Sequence, residues 1–379
     1  MEFLYILLVI LVVTRAFGEI ALRFQQPALI GNLVGAILLG LVVHQFEGMF
    51  PVLSELTDND TFTVIADLGV FFLMLVAGLE MHPKELFEAS TKALLVALAG
   101  LLAPLATGLL LAWYFIPASE WKTAQVMFVG TALAITAIPV AVNVLMDLGQ
   151  LHTRAGKIII SAAIFDDILG LILLAILTAL IASGETFTAS NFIILLGRVT
   201  LFFIIVTLLG WYVLPVLSRW LKHAKIEKME FSLLLVTGLG FALIAELLHL
   251  HYILGAFMAG LFFTHRTFGT NVYKHVMENT HAITAGFLAP FFFASIGLHL
   301  DLSALLVIPG FVLLLVFLAM ISKFLGAGLA AWWVGLRKKD AAGVGFGMSA
   351  RGAVELIIAD IALRAGLFNQ PDPPPPVVE

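Results

Sequence analysis

Apolar runs of about 20 residues, the length that crosses a bilayer as a helix, recur from one end of this chain to the other. Polar residues, Gly and Pro separate them. Their spacing predicts helical segments at 3–23, 27–44, 62–80, 91–114, 121–147, 156–183, 189–218, 230–249, 251–265, 280–299, 304–335 and 340–365. Lys and Arg gather on the cytoplasmic side of membrane proteins, so the basic residues orient the segments. With the N-terminus outside, the inner connections hold Arg23, Lys84, Lys92, Arg154, Lys157, Arg219, Lys222, Lys225, Lys228, Arg266, Lys274 and the run Arg337, Lys338, Lys339. The outer connections 45–61, 184–188 and 300–303 hold none. Six segments precede 189–218 and five follow it. The inverted repeats of secondary transporters favour two equal halves, so the chain is expected to stop one helix short of the complete fold.

Composition agrees with this picture. The chain has 379 residues, 61% hydrophobic and 12% charged, against roughly 25% charged in soluble domains. Mean hydropathy is +1.08. The formal net charge of −5 says little about partners, and nucleic acid is not among those expected. The absence of cysteine excludes disulfides, thiolate metal sites and iron–sulfur clusters. The first segment, MEFLYILLVILVVTRAFGEIAL, starts acidic and lacks a small-residue cleavage site, so it reads as a retained helix rather than a signal peptide.

A few charges stay inside the apolar segments. Lys122 and Arg364 lie near segment ends and can snorkel, and Arg15 and Arg198 have no evident assignment. Lys323, in FLAMISKFLGAGLAAWW, sits deep in its segment, and Arg351 lies one turn before Glu355 in GVGFGMSARGAVELII. The sequence SAAIFDDILGLI puts Asp166 and Asp167 side by side in another segment. Ionisable groups inside a membrane are costly and mark function by default. For the acidic pair, Lys323 is the lysine buried deeply enough to be a partner. Adjacent helical residues point about 100° apart. One carboxylate can therefore meet a cation on another helix while its neighbour faces a water-filled cavity. The competing reading is a structural polar cluster, but such glue between membrane helices is usually Ser, Thr or Asn.

Two segments carry interruptions. Pro139 stands in the middle of TALAITAIPVAVNVLMDLG, flanked by Thr136 and Asn143; proline removes a backbone hydrogen bond and clashes with the preceding turn. The segment 340–365 contains Gly343, Gly345, Gly347 and Ser349. Paired interruptions at matching positions of two halves point to a transporter's binding site. GVGFGMSARG follows no strand, so it is not read as a phosphate-binding loop. The histidines show no metal-ligand spacing, and Trp332 with Trp333 reads as an interfacial anchor.

These residues, taken with QPALIGNLVGAILLG (26–40), LGVFFLMLVAGLEM (68–81), LGAFMAGL (254–261), PFFFASIGLHLDL (290–302), SKFLGAGL (322–329) and MSARGAVELI (348–357), resemble the monovalent cation:proton antiporters. The Kef-type and NapA-type exchangers are the branch they match best. The resemblance implies an all-α polytopic, NapA/NhaA-like inverted-repeat transporter with two crossing broken helices. It implies mobile core helices within about 91–183 and 304–365, and dimerisation or scaffold helices within about 1–80 and 189–299. Asp167 then matches the aspartate that carries the cation and the proton. Asp166 matches the aspartate paired with the family's lysine, here Lys323, which can also carry a proton. Thr136 lends an oxygen at the first break, and Arg351 with Glu355 forms a supporting pair on the second.

The expected activity is exchange of Na+ or K+ for protons by elevator-type alternating access, electrogenic by analogy with two-aspartate members. No cofactor and no enzymatic chemistry are expected. The setting would be a prokaryotic inner membrane, the assembly a homodimer, and a C-terminal regulatory domain could lie outside this chain. A Kef-like gated potassium efflux channel without strict proton coupling is the alternative. An intramembrane aspartyl protease needs its aspartates on two helices and a GxGD stretch, which this chain lacks. A receptor or scaffold would tolerate neutralised aspartates.

Overall fold

The computed structural model describes residues 2–26, 28–45, 60–81, 91–119, 121–136, 145, 150, 153–183, 189–221, 228–299, 309–350, 353–364 and 367. Among these residues every regular element is a helix and none is a strand. In chain order they are α1 (Glu2–Arg23), α2 (Ala28–Gln45), α3 (Asp60–Glu80), α4 (Thr91–Phe115), α5 (Lys122–Ala134), α6 (Arg154–Ser183), α7 (Ala189–Leu208) and α8 (Leu214–Leu221). There follow α9 (Met229–Leu247), α10 (Tyr252–Phe262), α11 (His265–Phe268), α12 (Thr270–Ile283), α13 (Ala289–His299), α14 (Pro309–Trp333), α15 (Lys338–Gly347) and α16 (Ala353–Arg364). Eight described helical stretches are long and apolar enough to cross a membrane, and Ile30–Val43 and Tyr252–Phe262 are shorter apolar helices. The chain is a multi-pass membrane protein.

Two prolines within these helical stretches are accommodated in the same way. A π turn at Leu209–Val213 joins α7 to α8, and another at Thr284–Leu288 joins α12 to α13. Each lies just before a proline, Pro215 and Pro290. Proline has no N–H for the carbonyl four residues back and crowds it; those carbonyls belong to Trp211 and Gly286, inside the widened turns. The π geometry absorbs the conflict and the helix continues. Residues 270–299 are therefore one helical stretch, where the apolar pattern predicts a start at 280. The second π turn also exposes the carbonyl of Ala285, which accepts a hydrogen bond from the Arg15 guanidinium and so gives that intramembrane cation a partner.

The chain divides into two compact units, 1–83 with 201–307 and 84–200 with 308–379. In the first, helices pack in succession: α1 on α2, α2 on α13, α13 on α3, α3 on α10 and α10 on α9. Lipid is as apolar as leucine, so close backbone approach rather than hydrophobic burial drives such packing. Glycines permit it. A Cβ on Gly78 would strike the carbonyl oxygen of Phe257, and one on Gly260 that of Leu75. Gly255 lies similarly against the backbone of Phe241 and Ala242. Gly78→Ala is therefore expected to lower stability by about 1–3 kcal/mol, read as a lower thermal unfolding midpoint in detergent. Gly240→Ala is its control, because nothing lies within 4 Å of that Cβ position.

In the second unit α4 packs against α14, α5 and α6, while α15 bridges α14 and α6 and α16 lies on α5. Its core is rich in alanine: Ala93, Ala97, Ala162, Ala163, Ala327, Ala331 and Ala341, with Ile159, Val344 and Met348. Such small side chains bring helix axes close together, so polar groups carried on different helices come within bonding reach. Gln125 Nε2 of α5 donates to the carbonyl of Leu367 at 2.7 Å.

Candidate functional site

Two of the unit's helices are interrupted. α5 stops at Ala134, and Ile135 turns extended with φ −74° and ψ 150°. The stop comes five residues before Pro139, and a helix continued to that proline would leave the carbonyl of Ile135 without a donor and crowded by the ring. Pro139 itself lies outside the described residues. α15 stops at Gly347, and the chain is helical again from Ala353.

Gly345 and Gly347 are still helical, so the interruption lies beyond them, and their small size has another use. A Cβ on Gly345 would meet Phe324 of α14, and one on Gly347 would lie 2.8 Å from Cδ1 of Ile159 on α6. They let α15 approach both neighbours. Ser349 stands in the turn that follows and donates back to the carbonyl of Gly345 at 2.9 Å.

The breaks converge on one buried group. Asp166, on the uninterrupted α6, is fully buried, and Lys323 of α14 is 1% exposed. Lys323 Nζ lies 2.8 Å from Asp166 Oδ2. The same ammonium donates to the carbonyl of Ala134, the last residue of α5. That carbonyl is one of the acceptors a helix leaves unsatisfied at its C-terminus, and a cation there also faces the negative end of the helix dipole. The Thr136 hydroxyl, just past the break, donates to Asp166 Oδ2 and lies 3.3 Å from the carbonyl of Met348 in the second break. Thr136 thus links both interruptions to the carboxylate. Ile135 seats against Gly170, one turn beyond Asp166, where a Cβ would lie 3.1 Å from its Cγ1.

The structure therefore brings together Asp166, Lys323 and Thr136, with Met348 and Ala134 contributing backbone oxygens. No pattern of side chains signals a backbone acceptor, although a helix expected to end near Pro139 directs attention to the carbonyls just before it. Asp167 is the next residue of α6 and Glu355 lies on α16; their side chains, like Arg351, lie outside the described residues.

Electrostatically the site is two-sided. Placing an ion pair in a dry interior costs several kcal/mol per ion before attraction and hydrogen bonds offset it. Here Oδ2 receives two donors, while among the described residues Asp166 Oδ1 has no hydrogen-bond partner and the buried hydroxyl of Thr131, one turn before the α5 terminus, has none either. A buried carboxylate oxygen without a donor is an acceptor available to a proton or a cation. Among the described residues no three His, Asp or Glu side chains gather as a multidentate metal site.

An all-helical membrane fold in which two interrupted helices meet at a buried acid–base pair defines the architecture of a secondary transporter. The chain belongs to the sodium/hydrogen exchanger transmembrane family, whose profile matches residues 6–373. It is 32% identical to the Na(+)/H(+)-K(+) antiporter GerN of Bacillus cereus over 370 residues, covering 97% of this chain and 90% of that one. It is 30% identical to an Na(+)/H(+) antiporter of Enterococcus hirae, over 97% of this chain and 92% of the relative. The sodium proton antiporter MjNhaP1 of Methanocaldococcus jannaschii has the same fold, with a TM-score of 0.73 at 19% identity, covering 98% of this chain and 88% of its own.

Proposed function

We propose that this protein is a secondary active antiporter that exchanges a monovalent cation, Na+ or K+, for protons. The observation that carries the reading is the buried Asp166–Lys323 pair at 2.8 Å, held by Thr136 where two helices are interrupted. Its relatives' names, an Na(+)/H(+)-K(+) antiporter and an Na(+)/H(+) antiporter, support the substrate class. A carboxylate binds a proton or coordinates a cation, and does both poorly at once, so the two ligands compete for one site.

In this reading Asp167 is the carrier that alternately holds cation and proton. Asp166 and Lys323 form the adjoining pair, which supplies a second titrating position, and Thr136 lends a hydroxyl oxygen. Arg351 and Glu355 support the second interrupted helix. The unit containing residues 84–200 and 308–379 is the mobile core of an elevator, and the other unit is the scaffold through which two copies pair. The N-terminus faces outward in the inner membrane. With two titratable positions per transported cation, exchange is electrogenic, and its rate should respond to an imposed membrane potential; a voltage-insensitive rate in proteoliposomes would count against that stoichiometry.

The deciding experiment is a pH-dye assay in inside-out vesicles, titrating Na+, K+ and Li+. Cation addition should dissipate a preformed proton gradient for at least one ion. Potassium flux that ignores the proton gradient would instead identify a Kef-like efflux channel. Thr136→Ala is expected to raise the half-saturating cation concentration about tenfold, the worth of roughly one hydrogen bond to a charged group, while Thr136→Ser retains the wild-type value.

A further inference from the structure

The transport reading leaves unused the aromatic end of α14 and the basic run after it. Two grooves flank the last turns of this helix. One, of about 780 Å³, lies between α14 and α4 and is floored by Ala99 and Ala103, with Leu102 and Trp333 on its sides. The other, of about 300 Å³, lies between α14 and α15 and is lined by Gly328, Ala341 and Ala342, with Lys338 at one end. Leu325, Leu329 and Trp332 line both. They recur at helical spacing and form a single ridge on one face, with exposures of 44%, 57% and 54%.

Small residues make the hollows and large ones make the ridge, so this surface is corrugated at the scale of a hydrocarbon chain. From Leu325 to Trp332 the ridge is about 10 Å long at helical rise. Its head is charged. Arg337, Lys338 and Lys339 are exposed, and Asp340 is bonded to Arg337 at 2.8 Å, leaving Lys338 and Lys339 without an acidic partner among the described residues. Lys338 Nζ lies 6.0 Å from the centroid of the Trp332 ring. That places the ammonium where the narrower groove opens.

Two apolar channels that share a ridge, with a cation at the end of one of them, match one chemistry: two acyl chains joined at a negatively charged head. We propose that this surface seats one anionic diacyl phospholipid, a chain on each side of the Leu325–Leu329–Trp332 ridge and the phosphate against Lys338, with Lys339 adding to the field. The basic run then lies at the cytoplasmic leaflet, where anionic lipids attract Lys and Arg. α14 also carries Lys323 on its buried face, so the lipid would clamp the packing of α4, α14 and α15 around the helix that supplies the buried cation. A ligand that binds only the folded form stabilises it.

The test uses the full chain purified in detergent, with lipid retention read by native mass spectrometry and unfolding by thermal melt. Phosphatidylglycerol should be retained and should raise the melting midpoint, whereas phosphatidylcholine should do neither. Lys338→Gln with Lys339→Gln should weaken phosphatidylglycerol binding about tenfold. Ala342→Phe, which fills the narrower groove and leaves the charges intact, should weaken it as well. Equal retention of both lipids by the wild type would overturn the proposal. So would a charge effect without a plug effect, since that describes surface attraction and no seated chain.

Discussion

Asp167→Asn is expected to reduce cation-driven proton flux in sealed vesicles to background while leaving the protein folded. Asparagine keeps the shape of aspartate, but its amide neither takes up a proton near neutral pH nor offers a negative charge to a cation. The substitution therefore removes both ligands of the exchange at once. The case for Asp167 as carrier comes from its neighbour. Asp166 is held by Lys323 and Thr136, and successive positions of a helix lie about 100° apart around its axis. A variant with a normal melting profile that still exchanged cations for protons would remove Asp167 from the mechanism.

Lys323→Met is expected to be the most destabilising single change in the unit that contains residues 84–200 and 308–379. Among the described residues it leaves the fully buried Asp166 with the Thr136 hydroxyl alone, and breaking a buried ion pair by removing one partner typically costs about 3–5 kcal/mol. It also strips the Ala134 carbonyl of its donor. The informative companion is Lys323→Met combined with Asp166→Leu, because replacing both members of a buried pair with apolar residues is often neutral or stabilising. Thermal unfolding in detergent should therefore drop in the single variant and recover in the double. Coupled exchange should remain impaired in the double variant, whose stability is no longer the issue. A single variant that melts like the wild type would mean the pair contributes little to holding the unit together.

These two substitutions also separate what could be read along the chain from what could not. The apolar runs locate the described helices to within a few residues over most of the chain, because lipid selects for hydrophobicity residue by residue and that property is local. Exceptions include places where proline meets a helix. Nothing in the apolar pattern distinguishes Pro139, near which a helix ends, from Pro290, which a π turn carries through. The outcome depends on whether neighbouring groups take up the released carbonyls. Where α5 ends, Lys323 takes the carbonyl of Ala134 from a helix 189 residues away.

The chain's own composition and order established a multi-pass helical protein, an acidic pair in an apolar segment, a single deeply placed lysine to answer it and two interrupted segments. The tertiary structure alone decided that Lys323 also takes the carbonyl of Ala134, that Thr136 and the carbonyl of Met348 join the two breaks, and that Gly345 and Gly347 serve close packing before the second break. Each of these depends on distances of a few ångströms between residues far apart in sequence. Alanine and glycine contacts between helices set those distances, and no single stretch of sequence contains both sides of such a contact.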